Sequence, residues 1–200
     1  MLKNEHSNIN RLNPFVSKLD QKLSLTISLE KFDELAKEIQ SIEIEWDEFS
    51  KSLKEISGIG RVMNRFALAN PYSAMIEVNL SNSPESILVL LSALGGFYGF
   101  YFCSQSKKAV QSVNLFDLKM NPQVENMEWE NPHISLFPFS EDQNDVKDRV
   151  EILLLKSFPR YALFDNNLAT IPVFESRIGE EFYPKLDLFQ VVFIYEPVCF

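Results

Sequence analysis

The chain has little histidine and little cysteine, with two of each among its 200 residues. Cys103 and Cys199 form no Cys-x-x-Cys pair and are too few for the disulfide framework of a small secreted domain. His6 and His133 could complete a zinc site only with carboxylates or with both cysteines. We therefore expect no metal site, no other cofactor and no catalytic histidine or cysteine. In the apolar stretch FYFCS, Cys103 is expected to pack as a small buried thiol.

Glycine is also sparse, with six residues. The glycine spacings of phosphate-binding and dinucleotide-binding loops are absent. The G-x-S-x-G elbow of Ser-His-Asp hydrolases is absent as well. In the stretch PHISLFPF, His-x-Ser-Leu resembles one half of the signature of the two-histidine phosphoesterases. That family uses two such motifs, one histidine as base and one as acid. The only other histidine, His6, lies in HSN without the hydrophobic context of such a motif. The alternative left open is a hydrolase whose carboxylate-based site carries no recognisable motif.

A cluster of basic residues is missing as well, since 28 acidic residues stand against 19 basic ones and the net charge is −9. A protein that holds a phosphate backbone normally gathers Lys and Arg on one face, so we expect no nucleic-acid partner. The acids fall into two patches, Glu30–Glu48 and Asp117–Asp148, each with eight acids and two lysines. Such patches speed encounter with basic proteins, and a solvated, solubilising surface is the plainer interpretation.

One uncharged run, Ser86–Ser106, is 21 residues long and raises the question of a membrane span. Ser83, Pro84 and Glu85 are typical of a helix start, which predicts a helix through Leu94, a stop at Gly95-Gly96 and then a strand in FYGFYFCS. A spanning helix needs roughly 20 apolar residues in one piece. We therefore expect a buried core and no membrane contact. The start MLKNEHSNINRLNPF has no apolar signal segment, so we expect the cytoplasm.

The apolar spacing predicts a mixture of helices and strands. A single apolar stripe with steps of three or four residues indicates a helix over Phe32–Ile56 with a break near 41–45. SLTISLEKF, AMIEVNL and DLFQVVFIY are typical of strands, and Asp142 or Asn144 begins a further helix ending near Ser157. The sequence thus predicts a single α+β domain over 1–200, with a mixed or mostly antiparallel sheet on which helices pack, and we expect residues 1–14 to be frayed. A dimeric scaffold joined through the Phe32–Ile56 stripe is a second alternative.

Taken together, these features predict a non-catalytic acidic protein that occludes a basic protein partner. The profile resembles that of the immunity proteins, small acidic inhibitors of bacterial toxins that meet a basic cleft with a carboxylate-rich surface. The oligomeric state stays open. We expect the contacts to come mainly from the second acid patch and one tryptophan within it: Glu125, Glu128, Trp129, Glu130, Glu141, Asp142 and Asp145.

Overall fold

A computed structural model describes residues 10–19, 22–66, 71–104, 133–178, 180–183 and 186–193. The strands are β1 Val16–Leu19, β2 Lys22–Ile27, β3 Ile59–Asn64, β4 Ser73–Leu80, β5 Glu85–Ser92, β6 Phe97–Ser104, β7 His133–Ser135, β8 Ala162–Leu163, β9 Pro172–Ile178, β10 Glu181–Tyr183 and β11 Leu186–Asp187. The numbered α-helices are α1 Leu29–Gln40, α2 Glu43–Leu53, α3 Glu141–Ser157 and α4 Leu188–Val192. A 3₁₀-helix spans Asn166–Leu168, and residues 10–12 form a further helical turn.

The strands form two sheets, and the expected α+β class is confirmed. The larger sheet is an antiparallel meander, β3-β4-β5-β6, whose last strand also pairs with β7 and, in parallel, with β8. The smaller sheet has the order β1-β2-β9-β10, with β11 also paired to β9. Its central pair, β2 and β9, is parallel and brings a strand from the N-terminal part of the chain beside one from the C-terminal part. Buried side chains from both sheets and from all four helices make one contiguous core.

The long uncharged run is a buried hairpin, as the core interpretation expected, but the predicted helix in it is wrong. Residues 85–92 form β5, which pairs with β4 on one side and β6 on the other. Since nearly every position of this stretch is apolar, its spacing does not separate a helix from a strand buried on both faces. Ser83 Oγ accepts from the Glu85 N–H and closes a turn instead of capping a helix. Gly95 and Gly96, both at positive φ, make the turn into β6.

The amphipathic stripe is confirmed as helical, and it breaks within the interval 41–45 that its length suggested. Helices α1 and α2 are separated at Ser41–Ile42. Ser28 caps α1 by accepting from the Lys31 N–H. The stripe faces the core of the same chain, and Trp46 packs its ring against Phe158, which follows α3.

The strand predicted in DLFQVVFIY is wrong over its described part, since residues 188–192 are helix α4. The Asp187 N–H donates to Gln190 Oε1, a bond that favours a helix start at this position. Helix α4 lies on β6, where a Cβ at Gly99 would come within 3.0 Å of the Phe193 ring and 3.2 Å of the Phe189 ring, so glycine allows the close approach of the helix. The Tyr72 hydroxyl donates to the Val191 carbonyl. This contact with the sheet favours a helix over the strand that the composition suggests.

The described part of the N-terminal segment, residues 10–14, is held against the β5–β6 hairpin. Leu12 is buried, and the Arg11 guanidinium donates to the Gly96 carbonyl at 3.1 Å. Residues 1–9 of the expected frayed segment lie outside the described residues. None of the described helices is long and apolar enough to cross a lipid bilayer.

Candidate functional site

The first two turns of α3 carry three of the predicted contact residues, and one glutamine fixes the first turn to the larger sheet. Gln143 is fully buried, and its Nε2 donates to the Ser86 carbonyl at 2.8 Å and to the Cys103 carbonyl at 3.2 Å. Its Oε1 accepts from the Phe139 N–H at 2.8 Å. Ser140 caps the helix by accepting from the Gln143 N–H, and its Oγ donates to Glu85 Oε2 at 2.6 Å. The acidic turn is therefore anchored to β5 and β6.

The segment that leads into α3 exposes two phenylalanines although its backbone is fixed. Phe137 is 63% exposed and Phe139 is 45% exposed. Ser135 Oγ accepts from the Phe137 N–H at 2.9 Å, and Asn166 Nδ2 donates to the Leu136 carbonyl at 2.8 Å. Both rings thus remain in water on a segment tied at several points. An apolar patch rimmed by polar residues is typical of an interaction site.

Exposed carboxylates follow these rings along the chain, and two of them, Glu141 and Asp145, line a cleft together with Phe139. Glu141, Asp142 and Asp145 are all exposed on the first two turns of α3. We call this group the Phe–acid surface; it consists of Ile134, Phe137, Phe139, Glu141, Asp142 and Asp145.

Two depressions meet on the Phe–acid surface, with Asp145 lining both. The first is a cleft of about 650 Å³. Its lining is Pro138, Phe139, Ser140, Glu141, Asn144 and Asp145. The second, which we call the small cavity, has a volume of about 190 Å³ and lies between the β4–β5 turn and α3. Its lining is Gly58, Leu80, Ser81, Ser83, Asp142, Asp145, Val146 and Arg149. A partner that meets α3 here would find aromatic, apolar and carboxylate groups side by side.

The structure brings together three of the seven predicted contact residues. Glu141, Asp142 and Asp145 lie on one helix beside the two depressions. The other four, Glu125, Glu128, Trp129 and Glu130, lie outside the described residues. The exposed rings of Phe137 and Phe139 were not among the predicted contact residues. Pro138 between two phenylalanines was the available signal, since it prevents regular strand pairing that would bury both rings.

A buried carboxyl group, Glu77 on β4, was also missed. Its side chain is 0% exposed; one oxygen pairs with Arg65 at 3.2 Å, and Oε1 has no hydrogen-bond partner. Burial raises the pKa of Glu77 above its ordinary value, although the charge of Arg65 opposes the shift. A raised carboxyl pKa is a feature of many active sites. Glu77 lines neither of the two depressions described above.

Cys103 is buried as expected, but it is not a free thiol. It is disulfide-bonded, and the one other cysteine of the sequence, Cys199, lies outside the described residues. The expectation of a buried thiol that packs as a small hydrophobe is therefore wrong. Over the described ranges, no three His, Cys, Asp or Glu side chains converge in a way that could hold a metal ion.

Compared with protein families, with curated proteins and with solved structures, the chain has no match in any of the three. Its function has therefore to be inferred from its own side chains.

Proposed function

We propose that this chain is a non-catalytic acidic binding protein that occludes a basic protein partner through the Phe–acid surface, in the manner of a toxin inhibitor. The observation that carries the proposal is the pair of exposed phenylalanines held on a fixed segment beside three exposed carboxylates. Apolar rings supply affinity when they lose contact with water, and carboxylates select and steer a basic partner. The net charge of −9 supports the same choice of partner and disfavours nucleic acid.

The two alternatives have less support from the described residues. A scaffold joined through the Phe32–Ile56 stripe needs that stripe on the surface, yet Leu35, Trp46 and Leu53 are buried within the chain. A carboxylate-based hydrolase needs a carboxyl group with a raised pKa in a concave site. Glu77 meets the first of these conditions but lines neither of the two depressions.

For the working compartment we propose the cytoplasm, as for inhibitors of bacterial toxins. The composition supports this, with two cysteines and no disulfide framework. The disulfide bond at Cys103 counts against it, because disulfides persist mainly in oxidising compartments. A count of free thiols in protein isolated from its source organism under alkylating conditions tests this proposal: two free cysteines would support the cytoplasm, and none would contradict it.

The test is capture of partners from a lysate of the source organism by the tagged chain, with a salt series and identification by mass spectrometry. The test variant reverses Glu141, Asp142 and Asp145 to lysine. The matched control reverses three exposed acids of α2, Glu43→Lys, Glu45→Lys and Glu48→Lys. Each reversal adds two positive charges, so both variants have a net charge of −3 instead of −9. Both also remove two acids from the first turn of a helix, and they should lose similar stability.

We expect the wild-type chain to retain one basic protein that salt releases, the α3 variant to lose it and the α2 control to keep it. A second variant, Phe137→Ser with Phe139→Ser, should also lose the partner while its melting temperature falls only modestly, because Phe137 is 63% and Phe139 is 45% exposed. Equal capture by the wild type and the α3 variant would remove this surface from consideration. Capture of nothing at any salt concentration would refute the inhibitor function.

A further inference from the structure

The small cavity differs from the open cleft beside it in size and in lining. Its volume, about 190 Å³, is below the roughly 300–1,000 Å³ of pockets that hold drug-sized ligands. It is therefore of a size for one long side chain. Three parts of the chain build it: Gly58 ahead of β3, the β4–β5 turn, and the first turns of α3.

The lining combines apolar groups, hydroxyl groups and carboxylates. Leu80 and Val146 are nearly fully buried and give the cavity an apolar side. Ser81 and Ser83 contribute hydroxyl groups, and the exposed Asp142 and Asp145 contribute two negative charges. A side chain with methylene groups and a cationic end matches such a lining, since long basic side chains pack their stems on apolar surface and keep the charge among polar groups.

The one basic residue of the lining, Arg149, is held by the backbone around it. Its Nη1 donates to the Ser57 carbonyl at 2.6 Å, and its Nε donates to the Asp145 carbonyl at 3.1 Å. These bonds direct the guanidinium to backbone oxygens. The charge of the lining remains negative, because two carboxylates face one guanidinium.

We propose that the small cavity receives a single lysine or arginine side chain of the basic partner, while Phe137 and Phe139 cover an apolar side chain of the same segment. The proposal rests on the inhibitor function and adds the chemistry of the contact. A phosphate or carboxylate ligand is disfavoured by Asp142 and Asp145. An apolar ligand would leave the excess negative charge of the lining uncompensated, since two carboxylates stand against one guanidinium.

The test is an NMR titration of the full ¹⁵N-labelled chain with Nα-acetyl-lysine methyl ester and Nα-acetyl-arginine methyl ester. The matched probe is Nα-acetyl-norleucine methyl ester, which keeps a linear aliphatic chain but has no charge. We expect the cationic esters to shift the amide signals of Ser81, Ser83, Asp142 and Asp145, with affinity roughly in the millimolar range. The norleucine ester should bind about tenfold more weakly or worse.

Two variants test the charges of the cavity and its free volume separately. Asp142→Asn with Asp145→Asn removes the charges and keeps the shape, and Ser81→Phe fills the cavity and keeps the charges. Both should weaken binding of the cationic esters by about tenfold or more. Equal binding of the norleucine ester, unchanged binding by either variant, or an absence of shifts at the cavity would overturn the proposal.

The same variants distinguish this proposal from the function on which it rests. If the Ser81→Phe chain captures the basic partner as well as the wild type does, while the triple reversal on α3 loses it, the inhibitor function stands and the cavity proposal falls. If no partner is captured at any salt concentration but the cationic esters bind the small cavity, the inhibitor function falls and the cavity remains a site for basic groups.

Discussion

The side chain of Gln143 holds the candidate site to the sheet, and replacing it with methionine should cost more stability than any change on the exposed face of α3. Methionine is close to glutamine in length and fits an apolar space, but it can neither donate nor accept the three bonds. The change removes the donors to the Ser86 and Cys103 carbonyls and the acceptor of the Phe139 N–H. All three bonds are made by a side chain that water does not reach.

The size of the loss follows from these contacts. A neutral hydrogen bond contributes about 0.5–1.5 kcal/mol net, and a buried group left without its partner costs about 1–3 kcal/mol. Since some backbone partners can find water once the first turn of α3 loosens, we expect Gln143→Met to lower the free energy of unfolding by about 2–4 kcal/mol. The matched control is Gln40→Met at the exposed end of α1, where the same chemical change should stay within about 0.5 kcal/mol.

The assay is urea denaturation of both variants and the wild type, with the slope m checked for constancy. A third variant, Gln143→Glu, provides an internal check. Its second carboxyl oxygen would face two carbonyl oxygens at neutral pH, and protonation would restore one donor. It should therefore be relatively more stable at acidic pH than at neutral pH. A loss below about 0.5 kcal/mol in Gln143→Met would refute the anchoring function of this side chain.

Three further outcomes are expected. Because the pKa of Glu77 is raised in the folded chain, its contribution to stability is largest below its ordinary pKa of 4.5 and is lost as the pH rises through the raised value. The melting temperature of Glu77→Gln should therefore rise relative to that of the wild type as the pH rises. A relative melting temperature that falls with rising pH would contradict the burial argument. Gly95→Ala should lower the melting temperature more than Gly96→Ala, since both glycines have positive φ but only at Gly95 would the new Cβ overlap the ring of Phe97. Thiol labelling of the denatured, unreduced protein should leave Cys103 unlabelled, and full labelling after expression in a reducing cytoplasm would show that the bond does not form there.

Elements with a clear apolar period could be predicted from the sequence, and elements without one could not. The stripe that begins at Phe32 gave both helices and the break between them, because its polar positions separate the apolar ones regularly. SILVLLSAL has no such contrast, and DLFQVVFIY is rich in β-formers although residues 188–192 are helical. In both segments the secondary structure depends on neighbours that are distant in sequence. SILVLLSAL becomes a strand because β4 and β6 pair with it, and the helix in DLFQVVFIY packs on Gly99 of β6.

The candidate site was predictable where charge alone marked it. Glu141, Asp142 and Asp145 stand out in the sequence because acids cluster there. Gln143, next to them, looks like one more exposed polar residue, and only the sheet beneath it makes it the anchor of the turn. AMIEVNL was predicted as a strand from its alternation, and β4 confirms the strand. The alternation does not show that both faces of β4 are covered, so it gave no sign that Glu77 is buried.

The rings of Phe137 and Phe139 and the acids around them should affect partner binding in different ways. Exposed acids alone would keep a chain of net charge −9 in solution, and exposed rings work against solubility. A purely solvating surface therefore gives no reason to fix two phenylalanines in water, whereas an interface does. Charges at the rim of an interface act mainly on the association rate, while buried anchors act mainly on the dissociation rate. Once the partner is captured, Glu141→Gln should slow its association and lower the salt dependence, and Phe139→Ser should speed its dissociation at nearly constant association rate. Surface plasmon resonance at two salt concentrations measures both rates, and an unchanged dissociation rate in Phe139→Ser would mean that this ring lies outside the interface.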